Sequence, residues 1–416
     1  MPNRDDLIKQ NRKKRKQHDA LIGFLNVLKW LGISIFILTI ISVVGMFVVH
    51  KIETNQDIEK LNKFGFYNMV SIHPDQEINA VLHGNENSEY TIVPIHDIGE
   101  QDLNIFTKQM LSPIENSVQY ALINRPGHGF SPDTNKERTA KTIVDEYRKA
   151  LKELKVDNQV ILIAHGFGGV YATNWAAEYP GEVAGIIYIG FEEYVKDFQE
   201  YDGKVSTQFD IWSCQLGFRR LSDFDDIRTK TNVYDNDDAE MLKRMYIHSS
   251  DTKARNQEIT LAKINYDFVF KNSYSPVPKV MVASEGGFAT EEDVLKYLRF
   301  KNKQLESLGL DPIIDTSSKN YKSEIDKFIS NSKSILSIDK INFVNKMDKC
   351  LLVRIPGDSA VYRHNPYAVQ ALIKDFTQYV NKTIIGLKEE YKDTHAEGWE
   401  QHQQQSGEQD IPIPKK

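Results

Sequence analysis

A chain of 416 residues that is 40% hydrophobic and 26% charged can hold one large globular domain with appendages, and its composition is neither disordered nor fibrous. Two cysteines, Cys214 and Cys350, allow at most one bridge, so no disulfide framework carries the fold, and no Cys/His spacing marks a zinc site. The net charge of −6 is uneven: residues 1–29 hold eight Lys/Arg against three Asp, a balance of +5 that leaves −11 on the rest and argues against nucleic-acid binding by the main body.

The first predicted element follows the basic cluster "NRKKRK" (Asn11 to Lys16). Residues 30–49, "WLGISIFILTIISVVGMFVV", carry no charge. As a helix they reach about 30 Å, the thickness of a bilayer core. Trp30 marks one boundary, and His50 and Lys51 mark the other. A signal peptide fits less well, because the basic region is long and no small-x-small site follows Val49. The Lys/Arg excess precedes the helix, so residues 1–29 are expected in the cytoplasm and the main domain outside a cell membrane crossed once.

The first core block is expected over 64–191. Phe64 to Ile72 and Glu77 to Gly84 read as an opening strand pair. A strand follows at Tyr90 to Gly99, then a helix near Asp102 to Met110 and a strand over Val118 to Ser131. Ala140, Ile143, Val144, Tyr147, Leu151 and Leu154 repeat at helical spacing. "QVILIA", a glycine turn, a helix carrying Val170, Ala172, Trp175, Ala176 and Tyr179, and a strand from Val183 to Phe191 complete the block. Continuous apolar runs alternating with amphipathic helices predict an α/β fold with a parallel sheet covered on both faces. Residues 192–275 break the rhythm; they are polar, helical in pattern and rich in Asp, and read as an inserted helical lid. The rhythm returns over 276–390 with "PKVMVASEGG", "KCLLVRIPG" and a last helix from about Pro366. Residues 394–416 read as a disordered tail.

Three stretches carry a resemblance: "AHGFGGVYA" around Gly166, "INRPGHGFS" before it, and "GDSAVYRHNP" near the end. Together with the order of elements they resemble the α/β-hydrolase family, in particular membrane-anchored or secreted hydrolases of Gram-positive bacteria. The likeness covers most of residues 65–385 outside the lid and is most specific at "AHGFG". It implies a mostly parallel, doubly wound sheet with a lid, and a serine at the apex of a strained strand–turn–helix elbow, G-x-S-x-G.

Here the apex is Gly166, between Ala164 and Gly168. Glycine has no atom with which to attack a carbonyl, so covalent catalysis from this position is excluded. The elbow strains a non-glycine apex by about 1–3 kcal/mol, so glycine is the residue expected once serine is not needed. Aligned on Asn365-Pro366, the family's catalytic histidine position falls on Ser359, with His364 five residues on. The candidate acid is Glu285, after "KVMVAS", with the usual aspartate position near Gly287. The resemblance implies an oxyanion hole from the amides of Phe167 and Ile98, in "HDIG" (His96 to Gly99), where Asp97 sets a carboxylate beside the hole. His96 and His128 are expected to be structural or pocket-lining, and His165 to pack. No cofactor and no metal are implied.

Three readings are open. The first is a membrane-anchored pseudoenzyme that binds a small molecule or protein partner outside the membrane. The second is an active esterase or peptidase in which Ser131, Ser284 or Ser359 reaches His364 or His96. The third is a spacer whose acidic lid is an interaction surface. The paired replacement at Gly166 and Ser359 favours the first.

Overall fold

The computed structural model describes residues 4–100, 102–191, 198, 200–221, 236–272, 275, 277–285, 288, 290–307, 311–332 and 338–382. Helix α1 runs unbroken over Arg4–Lys63. The expected span of 30–49 is therefore the middle of a longer helix rather than an element with its own ends. No proline or capping residue stops the helix at Lys51, and beyond the apolar run it gains a buried face through His50, Asp57 and Leu61.

Among the described residues eight strands form one sheet: β1 (Met69–His73), β2 (Gln76–Gly84), β3 (Tyr90–Ile95), β4 (Gln119–Ile123), β5 (Gln159–His165), β6 (Val183–Ile189), β7 (Lys279–Glu285) and β8 (Cys350–Gly357). Their order is β1-β2-β4-β3-β5-β6-β7-β8. β2 is antiparallel to both β1 and β4, and every pair from β4 to β8 is parallel. This is the α/β-hydrolase fold. The fourth strand is shorter than the sequence suggests. It ends at Ile123, because the glycines of "PGHG" take positive φ, +75° at Gly127 and +55° at Gly129, and turn the chain away.

The apolar runs are buried on both faces. In β5, Leu162 packs with Val144, Tyr147, Val170 and Trp175 of helices α3 (Ala140–Glu153) and α4 (Gly168–Glu178). Its neighbours Ile161 and Ile163 pack on the other face with Leu103 and Phe106 of α2 (Leu103–Leu111) and with Val369, Ile373 and Phe376 of the closing helix, residues 366–382. The alternation follows from the period of two along a strand. Thr139 caps α3, its hydroxyl accepting from the Thr142 amide at 3.1 Å.

The insertion between β6 and β7 is helical where described: α5 (Gln208–Gln215), α6 (Asn236–Ser249) and α7 (Lys253–Asn272). Most of its Asp-rich stretch, 222–235, lies outside the described residues, as does the expected tail at 394–416. The insertion is bound down. Asp133 accepts from the Lys253 and Ala254 amides, both at 2.9 Å, and so caps α7. Glu258 of α7 is fully buried between Arg125 and Arg138, 2.8 and 3.3 Å from their guanidinium nitrogens, and Glu146 completes the cluster at 2.7 Å from Arg138. Helices α8 (Glu291–Ser307), α9 (Tyr321–Ser332) and α10 (Ile338–Lys346) fill the connection from β7 to β8.

Candidate functional site

The strand order places the site. The chain leaves β3 outward to β4, then returns to lay β5 on the other side of β3. At such a reversal the loops after the two central strands diverge and leave a crevice at their carboxyl ends. The loops concerned are His96–Gly99 after β3 and Gly166–Phe167 after β5.

Gly166 sits at φ +52°, in the left-handed region, and its amide donates to Ile189 O at 3.0 Å. The turn feeds directly into α4. Gly168 must be small because an added Cβ would lie 2.9 Å from Ile95 C and 3.0 Å from His96 O. At Gly166 a second constraint applies. An added Cβ would meet the Asp97 side chain, 2.5 Å from its Cγ and 3.0 Å from its Cβ, with Oδ2 nearer still. The apex side chain is thus missing, and a carboxylate from the neighbouring loop stands in its volume.

The other carboxylate oxygen explains why. Asp97 Oδ1 accepts from the Ile98 amide at 2.7 Å and the Phe167 amide at 3.0 Å, and the Tyr201 hydroxyl donates to it at 3.1 Å. These are the two amides assigned to an oxyanion hole. They do converge, and they converge on the protein's own carboxyl group. Burial pushes the Asp97 carboxyl above its ordinary range and nearby Glu100 adds to this; His165 and the two amides pull it back.

The volume above the apex holds aromatic side chains. Phe167 is fully buried, its ring 5.5 Å from that of Tyr171, 5.6 Å from Phe198 and 5.8 Å from Tyr201. Phe198 in turn lies 5.0 Å from Tyr266 of α7. The insertion thus supplies Phe198, Tyr201 and Tyr266 as a cover.

Beneath the turn lies a polar cluster that spacing in the sequence did not reveal. His165 Nδ1 is 2.7 Å from Glu100 Oε2. Arg363 donates to Glu100 Oε1 at 3.0 Å and its Nε lies 2.8 Å from Asp102 Oδ2, while the Tyr362 hydroxyl donates to Glu100. Burial alone would lower the His165 pKa, but the Glu100 carboxylate overrides it and pushes the imidazole up to about 9. Burial likewise opposes the Glu100 charge, and His165 with Arg363 hold it well below its ordinary range. His165 is thus tied to Glu100, and the pair favours its protonated form over the neutral form that a general base requires.

The remaining candidates among the described residues have identified places. Ser359 backs onto Gly190, where an added Cβ would lie 2.6 Å from Ser359 O. His364 packs against Gly357, with its Nδ1 3.6 Å from Asp358 Oδ1 and its ring edge-on to Tyr297 at 5.5 Å. Ser131 is buried in the turn after β4, donating to Asn124 O at 2.5 Å and accepting from the Asn79 amide at 2.8 Å. His96 accepts from Arg125 Nη1 at 2.8 Å, and burial and that guanidinium hold its pKa well below the ordinary value. His128 is held down the same way, by burial and then Arg125. Arg125 also donates to His96 O at 2.9 Å and Asp97 O at 3.0 Å, so the buried Arg125–Glu258 pair fixes the loop that carries Asp97. Glu285 ends β7 opposite Gly357, while its side chain, that of Ser284, and Gly287 lie outside the described residues. Among the described residues no group of His, Cys, Asp and Glu is arranged to hold a metal ion.

Residues 82–224 match the family model described as alpha/beta hydrolase fold. An uncharacterized protein of Schizosaccharomyces pombe is 28% identical over 154 residues, 36% of this chain and 28% of that protein. The uncharacterized protein YbdG of Bacillus subtilis is 25% identical over 161 residues, 39% of this chain and 48% of that one. The chain thus spans less than half the length of each of these relatives. Among solved structures, Cfl2 of Burkholderia cenocepacia is similar with a TM-score of 0.48 and 13% identity, covering 75% of this chain and 96% of that one.

Proposed function

We propose that this chain, an α/β-hydrolase scaffold behind one long apolar helix, is a catalytically silent hydrolase relative anchored in a membrane. The observation that carries this reading is the Asp97 carboxylate, which takes both oxyanion-hole amides and stands where a side chain at position 166 would stand. Acyl transfer needs a nucleophile and an empty pair of donors for the anion that develops. Donors already held by the Asp97 side chain are not free to take a developing oxyanion.

The helix supports the anchoring. It is long and apolar enough to cross a bilayer, its apolar part is exposed, and its basic end precedes that part. We place residues 1–29 in the cytoplasm and the main domain outside a cell membrane, in a protein of the Gram-positive bacterial type. The aromatic cover over Phe167 favours a protein partner, or the membrane itself, over a small molecule held in the crevice.

The alternative, an active hydrolase with a non-standard nucleophile, finds less support. Ser131 is consumed in a buried turn, His96 is pinned by Arg125, and His165 is paired with Glu100. The test is hydrolysis of a panel of short-chain p-nitrophenyl esters by the full-length protein in detergent. It is run beside Gly166→Ser/Ser359→His and the triple change that adds Asp97→Gly. The natural protein and the double change are expected to be inert, and the triple change to show measurable turnover. Saturable turnover by the natural protein contradicts the reading.

A further inference from the structure

Beyond the state of the crevice, the insertion presents an apolar face that the fold leaves in the open. Val205, Phe209, Trp212 and Leu221 are 48%, 75%, 57% and 70% exposed. They flank and line α5 and the turn Phe218–Leu221 after it, while Ile211 and Cys214 on the opposite side of α5 are buried.

The position of this face relative to α1 decides what it meets. The apolar run of α1 ends at Val49, and His50 is the first residue after it. His50 is buried against this same turn: an added Cβ at Gly217 would lie 2.5 Å from His50 Cγ, and Arg220 Nε donates to His50 Nδ1 at 3.0 Å. Arg220 also reaches Glu53 at 2.9 Å and Asp57 at 2.6 Å, and Asp57 further pairs with Arg244 and lies 3.1 Å from His248 of α6. The turn is thereby locked to α1 at the level where the apolar run stops. The covered stripe of α1 runs through Val43, Met46, His50, Asp57 and Leu61, which share one face at helical spacing. Val43 and Met46 are the part-covered residues of the apolar run, about 5–10 Å of helix rise short of His50.

Two of the charges at α5 are paired within the insertion. Arg219 lies 2.7 Å from Asp251 and 3.4 Å from Asp210. Facing outward are Trp212, Phe209, Leu221 and Val205, interleaved with the exposed Lys204, Thr207, Gln208 and Gln215; aromatic and apolar side chains beside a lysine and polar groups suit the boundary of headgroups and acyl chains.

We propose that the Val205–Phe209–Trp212–Leu221 face of the insertion lies in the lipid interface of the bilayer that α1 crosses, on the side of the domain. This rests on the reading of α1 as a membrane span. The insertion would then be a second membrane contact, and the crevice beneath it would be held at a fixed height and tilt over the lipid.

The test uses tryptophan emission of the full-length protein reconstituted in phosphatidylcholine/phosphatidylglycerol vesicles. Subtracting the spectrum of Trp212→Phe isolates Trp212, and subtracting that of Trp30→Phe isolates Trp30 within the span. Lipids brominated at acyl positions 6 and 7 report contact with the bilayer, and aqueous iodide reports contact with water. The expected result is at least a twofold loss of the Trp212 component with brominated lipid and little loss with iodide. Phe209→Trp in the Trp212→Phe background should behave alike. If the Trp30 component is quenched by lipid but Trp212 answers only to iodide, the face lies in water and the proposal is overturned while the span stands. If Trp212 answers to neither quencher, another protein surface covers it, and the proposal is again overturned. If Trp30 also ignores the brominated lipid, the span itself fails and the proposal falls with it.

Discussion

The side chain missing from position 166 and the carboxylate at position 97 should be energetically coupled, and a double-mutant cycle measures this. Gly166→Ala places a Cβ where Asp97 stands, 2.5 Å from its Cγ, on a residue held at φ +52°. Left-handed backbone costs a non-glycine about 1–2 kcal/mol. Displacing the carboxylate forfeits much of its hydrogen bonding to the Ile98 and Phe167 amides, where bonds to a charged acceptor contribute roughly 1.5–3 kcal/mol each. Gly166→Ala alone should therefore destabilise by about 3–5 kcal/mol. Asp97→Gly alone leaves the amides without their acceptor beneath the aromatic cover and should cost about 1–3 kcal/mol. In the double change the clash is gone and only the backbone strain is added, so the pair should cost roughly 2 kcal/mol less than the sum. The assay is denaturant unfolding of the full-length protein in detergent, followed by near-ultraviolet circular dichroism. Additivity within about 0.5 kcal/mol would show that the two sites do not share the space, and the argument for a self-occupied hole would fail.

Glu258→Ala should destabilise by about 3–5 kcal/mol in the same assay, because it leaves Arg125 and Arg138 buried without their shared carboxylate; a loss under about 1 kcal/mol would mean that α7 is not locked to the core. The His165–Glu100 pair predicts a pH dependence. The folded protein raises the His165 pKa from 6.5 to about 9, so its contribution is complete below pH 6.5 and lost as pH rises through 9, amounting to up to roughly 3 kcal/mol. Unfolding midpoints between pH 6.5 and 9.5 check this, and Glu100→Gln should flatten the slope. Trp175→Ala, at a fully buried side chain between α3 and the sheet, should cost about 3–5 kcal/mol, read from the same unfolding curves.

The sheet was legible because its signals are local. β5 and β6 are unbroken apolar runs, and α3 shows its face at helical spacing, so burial on both sides could be read from residue types alone. The apex glycine was legible for the same reason, since strand, turn and helix are contiguous in sequence. The occupant of the hole was not. Asp97 and Gly166 are 69 residues apart, and only the return of β5 beside β3 brings their loops together. Asp97 could be placed near the amides by analogy, but its rotamer, which turns a neighbour of the hole into its ligand, depends on Tyr201 and on Arg125 holding the loop. The Glu100–His165–Arg363 cluster joins three distant segments, and no spacing announces it. The unbroken α1 was hidden for another reason: past Lys51 its sequence turns polar, and its buried face is a sparse stripe of His50, Asp57 and Leu61.

Intact-mass spectrometry of the natural full-length protein after prolonged exposure to a fluorophosphonate tests most directly whether the crevice is silent. With Gly166 at the apex and the Asp97 carboxylate on the two amides, the protein mass should be unchanged. A stoichiometric phosphonyl adduct mapping to a residue that lines the crevice would contradict the account.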